Sequence, residues 1–178
     1  MVVYHDDEWG LPVHDDVELF ERLALESFQA GLSWATILRK RDAFCAAFQG
    51  FDPTIVAAFD ERDRARLMAD AGIVRNRAKV DATIGNAAAV LATAAEHGSF
   101  DRYLATMVPP PAKRLPATAT AGAIPASTPD SDALSADLRR RGFRFVGTTI
   151  VYAFMQSVGL VDDHLPGCFR YAASPRVG

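Results

Sequence analysis

Leu25-Glu26-Ser27-Phe28-Gln29-Ala30-Gly31-Leu32-Ser33-Trp34 is the stretch on which the fold turns. It reads as the end of one helix, a break at Gly31, and a second helix that Ser33 can cap through its hydroxyl. The incoming helix carries a carboxylate, Glu26. The outgoing one starts with a large aromatic, Trp34. Between them a bend of small residues exposes Leu32. An acceptor, a flat face and an apolar tip therefore lie close together.

Upstream, Asp15 and Asp16 are good caps for a helix beginning near Val17. On a helical wheel Leu19, Phe20, Leu23, Ala24 and Phe28 share one arc, and Glu26 falls on its shoulder. Spacing allows two readings of Glu26: a partly desolvated carboxylate, or an exposed partner of Arg22 four residues before it. Downstream, Trp34, Ile37, Leu38, Phe44, Cys45 and Phe48 form the stripe of the next helix, with Trp34 as core residue or pocket wall and Cys45 as packing. Gly50 ends that helix. Asp52-Pro53 and Asp60 each start another, the second running to about Asp70. Ala71-Gly72-Ile73 is a tight hairpin before a long Ala-rich helix, Arg75 to His97. Ser99 caps a short helix ending near Met107.

Residues 109–128 are rich in Pro, Ala, Thr and Gly and show no period, so they read as an irregular surface excursion. Thr128-Pro129 starts a further helix that Gly142 stops. Phe143-Arg144-Phe145 reads as extended, Gly147 to Val158 as a helix ended by Gly159, and the tail from Val161 as loop. Tyr4 to Gly10 is an ordered polar-aromatic segment with no clear regular structure. Nothing shows the sustained alternation of a half-buried strand. The expected class is all-α: one domain over residues 1–178, with eight or so short helices.

The bulk numbers agree with one such domain. At 178 residues and 49% hydrophobic content the chain can bury a sizeable core. No apolar run reaches the roughly 18 residues of a membrane span, and the acidic N-terminus lacks a signal pattern, so a cytoplasmic monomer is expected. Two cysteines, Cys45 and Cys168, make no disulfide framework. A net charge of -3 argues weakly against nucleic acid, but the basic residues cluster, at Arg39-Lys40-Arg41, at Arg75, Arg77 and Lys79, and at Arg139-Arg140-Arg141 with Arg144. Any one such cluster also fits a solvated helix face.

Three constellations can carry chemistry. The hairpin at Gly72, opening onto Arg75, Arg77 and Lys79, suits a phosphate, because backbone N–H groups at the turn and helix start point outward. A plain helical turn explains the same glycine. His5, His164 and Cys168 offer imidazole and thiolate of the kind zinc prefers, though three ligands are one short of a structural site. Tyr4, Trp9, Glu26 and Trp34 form an aromatic and acidic set that no motif rule ties together.

These residues also carry a resemblance. Tyr4-His5-Asp6-Asp7-Glu8-Trp9-Gly10, Leu25-Glu26, Gln29 to Trp34, and Ala71-Gly72-Ile73 with Arg75, Arg77 and Lys79 resemble the 3-methyladenine DNA glycosylase I family. So do Ser131 to Ser135, Arg141-Gly142-Phe143, Phe145 to Ile150, Asp163-His164 and Gly167-Cys168. The match runs in order over nearly the whole chain. It implies the helix-hairpin-helix DNA glycosylase fold, the hairpin lying at about 61–80. It implies hydrolysis of the bond joining 3-methyladenine to deoxyribose in double-stranded alkylated DNA, with free 3-methyladenine as product.

By the same resemblance Tyr4, Glu26 and Trp34 contact the flipped base with Trp9 near the pocket, and His5, His164 and Cys168 hold a structural zinc that staples the termini. Glu26 is then the candidate catalytic residue. Gly31, Leu32, Gly72, Arg75, Arg77 and Lys79 are the candidate DNA contacts, Leu32 filling the gap left in the duplex. Two departures stand out. The family's fourth zinc ligand is a cysteine upstream of the Tyr-His pair, and Tyr4 lies only three residues after Met1. Ser27-Phe28 stands where relatives carry small or amide residues, a change expected to affect packing only. Two other classes remain open at this stage: a non-cleaving binder of alkylated DNA, and a zinc-dependent hydrolase using His5, His164 and Cys168 with an open fourth position.

Overall fold

The computed structural model describes residues 1–109 and 113–173. In chain order the helices are α1 (Val2–Asp7), α2 (Asp16–Gln29), α3 (Trp34–Ala47), α4 (Pro53–Ala57), α5 (Glu61–Ala69), α6 (Arg77–His97), α7 (Phe100–Met107), α8 (Pro129–Arg140), α9 (Thr148–Ser157) and α10 (Phe169–Ala173). Sheet structure among the described residues is limited to one parallel pair of two-residue strands, β1 (Lys113–Arg114) and β2 (Val161–Asp162). The fold is all-α, as the lack of alternation predicts. The expected excursion is irregular apart from β1 and a 3-10 turn at Ala121–Ala123; residues 110–112 of it lie outside the described part.

α2 is the central helix. Leu19, Phe20, Leu23, Ala24, Leu25 and Phe28 are all buried, so apolar side chains leave it on more than one face. It packs on α3, α6, α7 and α9. Next to it Phe28, Phe44, Phe48, Phe51 and Phe59 form a chain of ring contacts with centroids 4.6 to 6.3 Å apart. Each such side chain, fully buried, contributes about 1.5–3 kcal/mol. This aromatic block anchors the α2–α3 corner.

The caps start the helices where the sequence places them. Asp15 accepts from Val17 N and Glu18 N, Ser33 from Thr36 N, Asp52 from Thr54 N and Asp60 from Arg62 N. Four boundaries differ. α6 starts at Arg77, not Arg75, because Asn76 caps it through Lys79 N. α3 stops at Ala47, and Gly50 (φ 66°) sits inside the following 3-10 turn. Tyr4 lies in a short helix, and the tail contains β2 and α10.

Phe143–Phe145 is no strand. Phe145 has φ 55°, and the turn is held from afar: Asn86 bonds both the N–H and the C=O of Arg144, and Ser27 Oγ donates to Phe145 O at 3.1 Å. Ser27 thus clasps a distant turn.

α5, the turn at 70–76 and α6 form the hairpin. Gly72 is required there by contact, since a Cβ would lie 2.9 Å from Asp70 Oδ1 and 3.0 Å from Ala43 Cβ on α3. The hairpin is thereby pressed onto α3, and Lys40 Nζ fastens it by donating to Ala71 O and Gly72 O at 3.0 and 2.9 Å.

Candidate functional site

A cleft of about 320 Å³ opens where α1, the end of α2, the start of α3 and the last turns of α9 meet. That is at the small end of ligand sites. Tyr4, His5, Trp9, Glu26, Gln29, Trp34, Ala153 and Gln156 line it, with Met1 at its edge. The aromatic and acidic set that no spacing rule connected is brought together here. Tyr4 and Trp34 lie 5.3 Å apart, their planes tilted by 54°.

Glu26 projects from the shoulder of α2 into this cleft and is only 6% exposed. The exposed Glu26–Arg22 pair is therefore overturned. Arg22 is itself buried and donates to Glu8 Oε2 at 2.8 Å and Glu18 Oε1 at 2.9 Å. Glu8 also takes Arg41 at 2.5 Å, which fixes the α1–α2 junction to α3. No donor among the described residues reaches the Glu26 carboxyl. Burial pushes it up to about 8, against the pull of the Arg22 guanidinium. Burial thus favours the protonated carboxyl.

The rings carry unused donors. Tyr4 Oη and Trp34 Nε1 are buried with no hydrogen-bond partner. Burial raises the Tyr4 hydroxyl to about 12, so it keeps its proton. Arg22 Cζ lies 5.5 Å from the Tyr4 ring centre, on a cation–π contact. Buried polar atoms without partners are uncommon in a folded protein. Both rings line the same cleft as Glu26.

Beside the cleft, His5, His164 and Cys168 converge, their ligand atoms all within 4.8 Å of one another. His164 is buried. Its Nδ1 meets Asp162 Oδ1 at 2.8 Å, which leaves Nε2 as the free ring nitrogen, and Nε2 has no partner. His5 likewise has Nδ1 on Asp6 Oδ1 at 2.8 Å, and its Nε2 lies 3.5 Å from Cys168 Sγ. Carboxylate-oriented imidazoles with one nitrogen free are the usual second layer of a metal site. The donor set fits zinc. Trp9 lies against both imidazoles, and Gly10 (φ +76°) leaves no room for a side chain, since a Cβ would come 2.5 Å from His164 Cε1.

The DNA-facing candidates divide. Gly31 has φ 82°, which favours glycine, and turns the chain so that Leu32 stands out 40% exposed. Gln29 Nε2 holds this tip by its Leu32 carbonyl at 3.0 Å. Arg75 is exposed and has no ion pair among the described residues. Arg77 is exposed but forked onto Glu61 and tied to Asp81.

Two candidates are corrected. Lys79 is 7% exposed and donates to Phe28 O and Ala30 O, at 2.9 and 2.6 Å. It closes the end of α2, and its ammonium is committed to those two carbonyls. The Gly72 amide is already taken by Asp70 Oδ1 at 2.7 Å. Lys40, read from the sequence only as part of a basic cluster, fastens the hairpin through the Ala71 and Gly72 carbonyls. Gln29, Ala153 and Gln156 were also missed as cleft residues, because nothing in helical spacing marks them.

The methyladenine glycosylase family model matches residues 1–171. The chain is 50% identical over 170 residues to DNA-3-methyladenine glycosylase 1 of Escherichia coli strain K12, covering 96% of this chain and 90% of that one. It is 44% identical over 167 residues to DNA-3-methyladenine glycosylase of Haemophilus influenzae, covering 93% and 89%. Among solved structures, that of 3-methyladenine DNA glycosylase I from Staphylococcus aureus, described as the structural basis of 3-methyladenine recognition, superposes with a TM-score of 0.92. It is 37% identical, with 99% of this chain and 92% of that one covered.

Proposed function

The chain belongs to the methyladenine glycosylase family, and from that premise we propose that it excises 3-methyladenine from alkylated DNA by hydrolysing the N-glycosidic bond. The observation that carries the reading is the Glu26 carboxyl, buried without a donor in a cleft whose two rings also hold unpartnered N–H and O–H groups.

Methylation at N3 makes the base a cation, so the bond to deoxyribose is weak before the protein acts and selection is the larger task. The Tyr4 and Trp34 faces attract a cationic ring by about 0.5–2 kcal/mol each. The same charge favours the ionised form of Glu26, which then accepts from the exocyclic amine across a low-dielectric gap. In the reaction a water oxygen bonds to C1′ as the C1′–N9 bond breaks. The electron pair stays on N9 and neutralises the ring, and the water's proton passes to solvent. Glu26 holds the base in register for this step.

The substrate is read as duplex DNA, entered by a monomer. Leu32 on its Gly31 bend is placed to fill the space a flipped nucleotide leaves, and Arg75 to meet the backbone. The setting is the cytoplasm, as the sequence reading has it; none of the described helices is long and apolar enough to cross a membrane. Structural zinc on His5, His164 and Cys168 is part of the proposal. It is supported by the convergence of the three donors and the unpartnered His164 Nε2. When bound, it would cross-link α1 to the loop before α10 and so brace one wall of the cleft.

The test is incubation with N-methylated duplex DNA and chromatography of the released base. Free 3-methyladenine that disappears with Glu26→Gln is the expected result. DNA retained without base release would make the protein a sensor and end the excision reading. Metal analysis of the same preparation checks for about one zinc per chain.

A further inference from the structure

Gln156 sits on the last turn of α9 and lines the cleft. Its amide reaches behind the cleft wall, where Nε2 donates to Asp163 Oδ2 at 2.7 Å. Asp163 is buried, and the same oxygen accepts from Tyr152 Oη at 2.5 Å. An ionised carboxylate offers only acceptors, so the end of the amide that meets it is the NH₂ group. The other end, Oε1, has no donor among the described residues, and the cleft is the space that Gln156 opens onto.

Resting on the base-excision reading above, we propose that Gln156 is a specificity-determining residue. Its Oε1, aimed by Asp163 and Tyr152, accepts from the exocyclic amine of the bound purine and rejects a purine with a carbonyl at that position. Glu26 alone discriminates poorly, because a carboxyl can donate to a carbonyl when it carries a proton and accept from an amine when it does not. The Gln156 amide has no such freedom. Turning it over would set its oxygen against the Asp163 carboxylate and strip a buried anion of one of its two donors.

The experiment measures binding of two probes, free 3-methyladenine and free 3-methylguanine, by tryptophan fluorescence or calorimetry. The proteins are the wild type, Gln156→Leu and Tyr152→Phe. The wild type is expected to prefer 3-methyladenine. Gln156→Leu should lose roughly ten- to a hundred-fold in 3-methyladenine affinity with no loss for 3-methylguanine, so the preference collapses. Tyr152→Phe keeps the amide but removes one of its two supports, and should lower the preference by a smaller factor.

A parallel drop for both bases, or no change, would show that Gln156 only packs the wall and would overturn the proposal. So would a wild type that binds both bases equally well. If Gln156→Leu does not fold, an unaltered preference in Tyr152→Phe overturns it as well. A wild type that binds neither base and releases none from DNA indicts the excision reading itself. Preference retained in the wild type but indifferent to both variants indicts only the role of Gln156.

Discussion

Glu26→Gln separates a buried acid from a surface ion pair, and the two readings differ in sign. Burial raises the carboxyl from 4.5 to about 8 in the native state. Between those values the native protein holds a proton that the unfolded chain has lost, so stability falls as pH rises through this window. The penalty is absent below about pH 4.5 and complete above about pH 8, with a ceiling on the order of 5 kcal/mol.

Glutamine never ionises. Glu26→Gln should therefore unfold close to wild type at pH 4.5 and become the more stable protein, by up to a few kcal/mol, at pH 9. Urea unfolding of both proteins at four or five pH values measures the difference, in which all other titrations cancel. A difference independent of pH, or one in which wild type gains on the variant as pH rises, would refute the reasoning. The second outcome is what a Glu26–Arg22 pair predicts.

Three further predictions rest on where charges and the loop tip lie. Lys79→Met removes a charged donor from two carbonyls at the end of α2 and should destabilise the protein by about 1.5–3 kcal/mol in denaturant unfolding, while the salt dependence of DNA affinity stays unchanged. Arg75→Ala should instead leave stability alone and lower that salt slope by about one; the reverse pattern would restore Lys79 to the DNA surface. Leu32→Ala should slow excision from duplex DNA by roughly ten-fold or more and leave the affinity for free 3-methyladenine unchanged. A loss of free-base binding would place Leu32 in the cleft wall.

What the sequence could and could not convey follows from the range of the forces involved. Helix starts were legible because a cap is a local contract: Asp15, Ser33, Asp52, Asp60 and Thr128 each bond an N–H two or three residues on. The Asn76 cap was missed because Arg75 and Arg77 flank it and look like a helix start themselves. Position on the wheel put Glu26 at the edge of the apolar arc, but could not show that Arg22 is claimed by Glu8 from a different segment. Lys79 misled for the same reason, since its partners belong to the end of α2.

The left-handed Phe145 is stabilised by Asn86 and Ser27, neither a neighbour in sequence. The cleft residues Gln29, Ala153 and Gln156 become neighbours only when α2 and α9 pack. Tyr4, Trp9 and Trp34 were gathered by resemblance to a family, not by any spacing of their own.

The His5 and Trp9 side of the cleft is backed by a segment far along the chain, with the two rings leaning on His164 and Cys168. Such a wall forms only once the segment at 164–168 has docked on α1, even if α2 and the phenylalanine block have already collapsed. A substitution that weakens this docking would leave much of the interior folded and still deform the cleft.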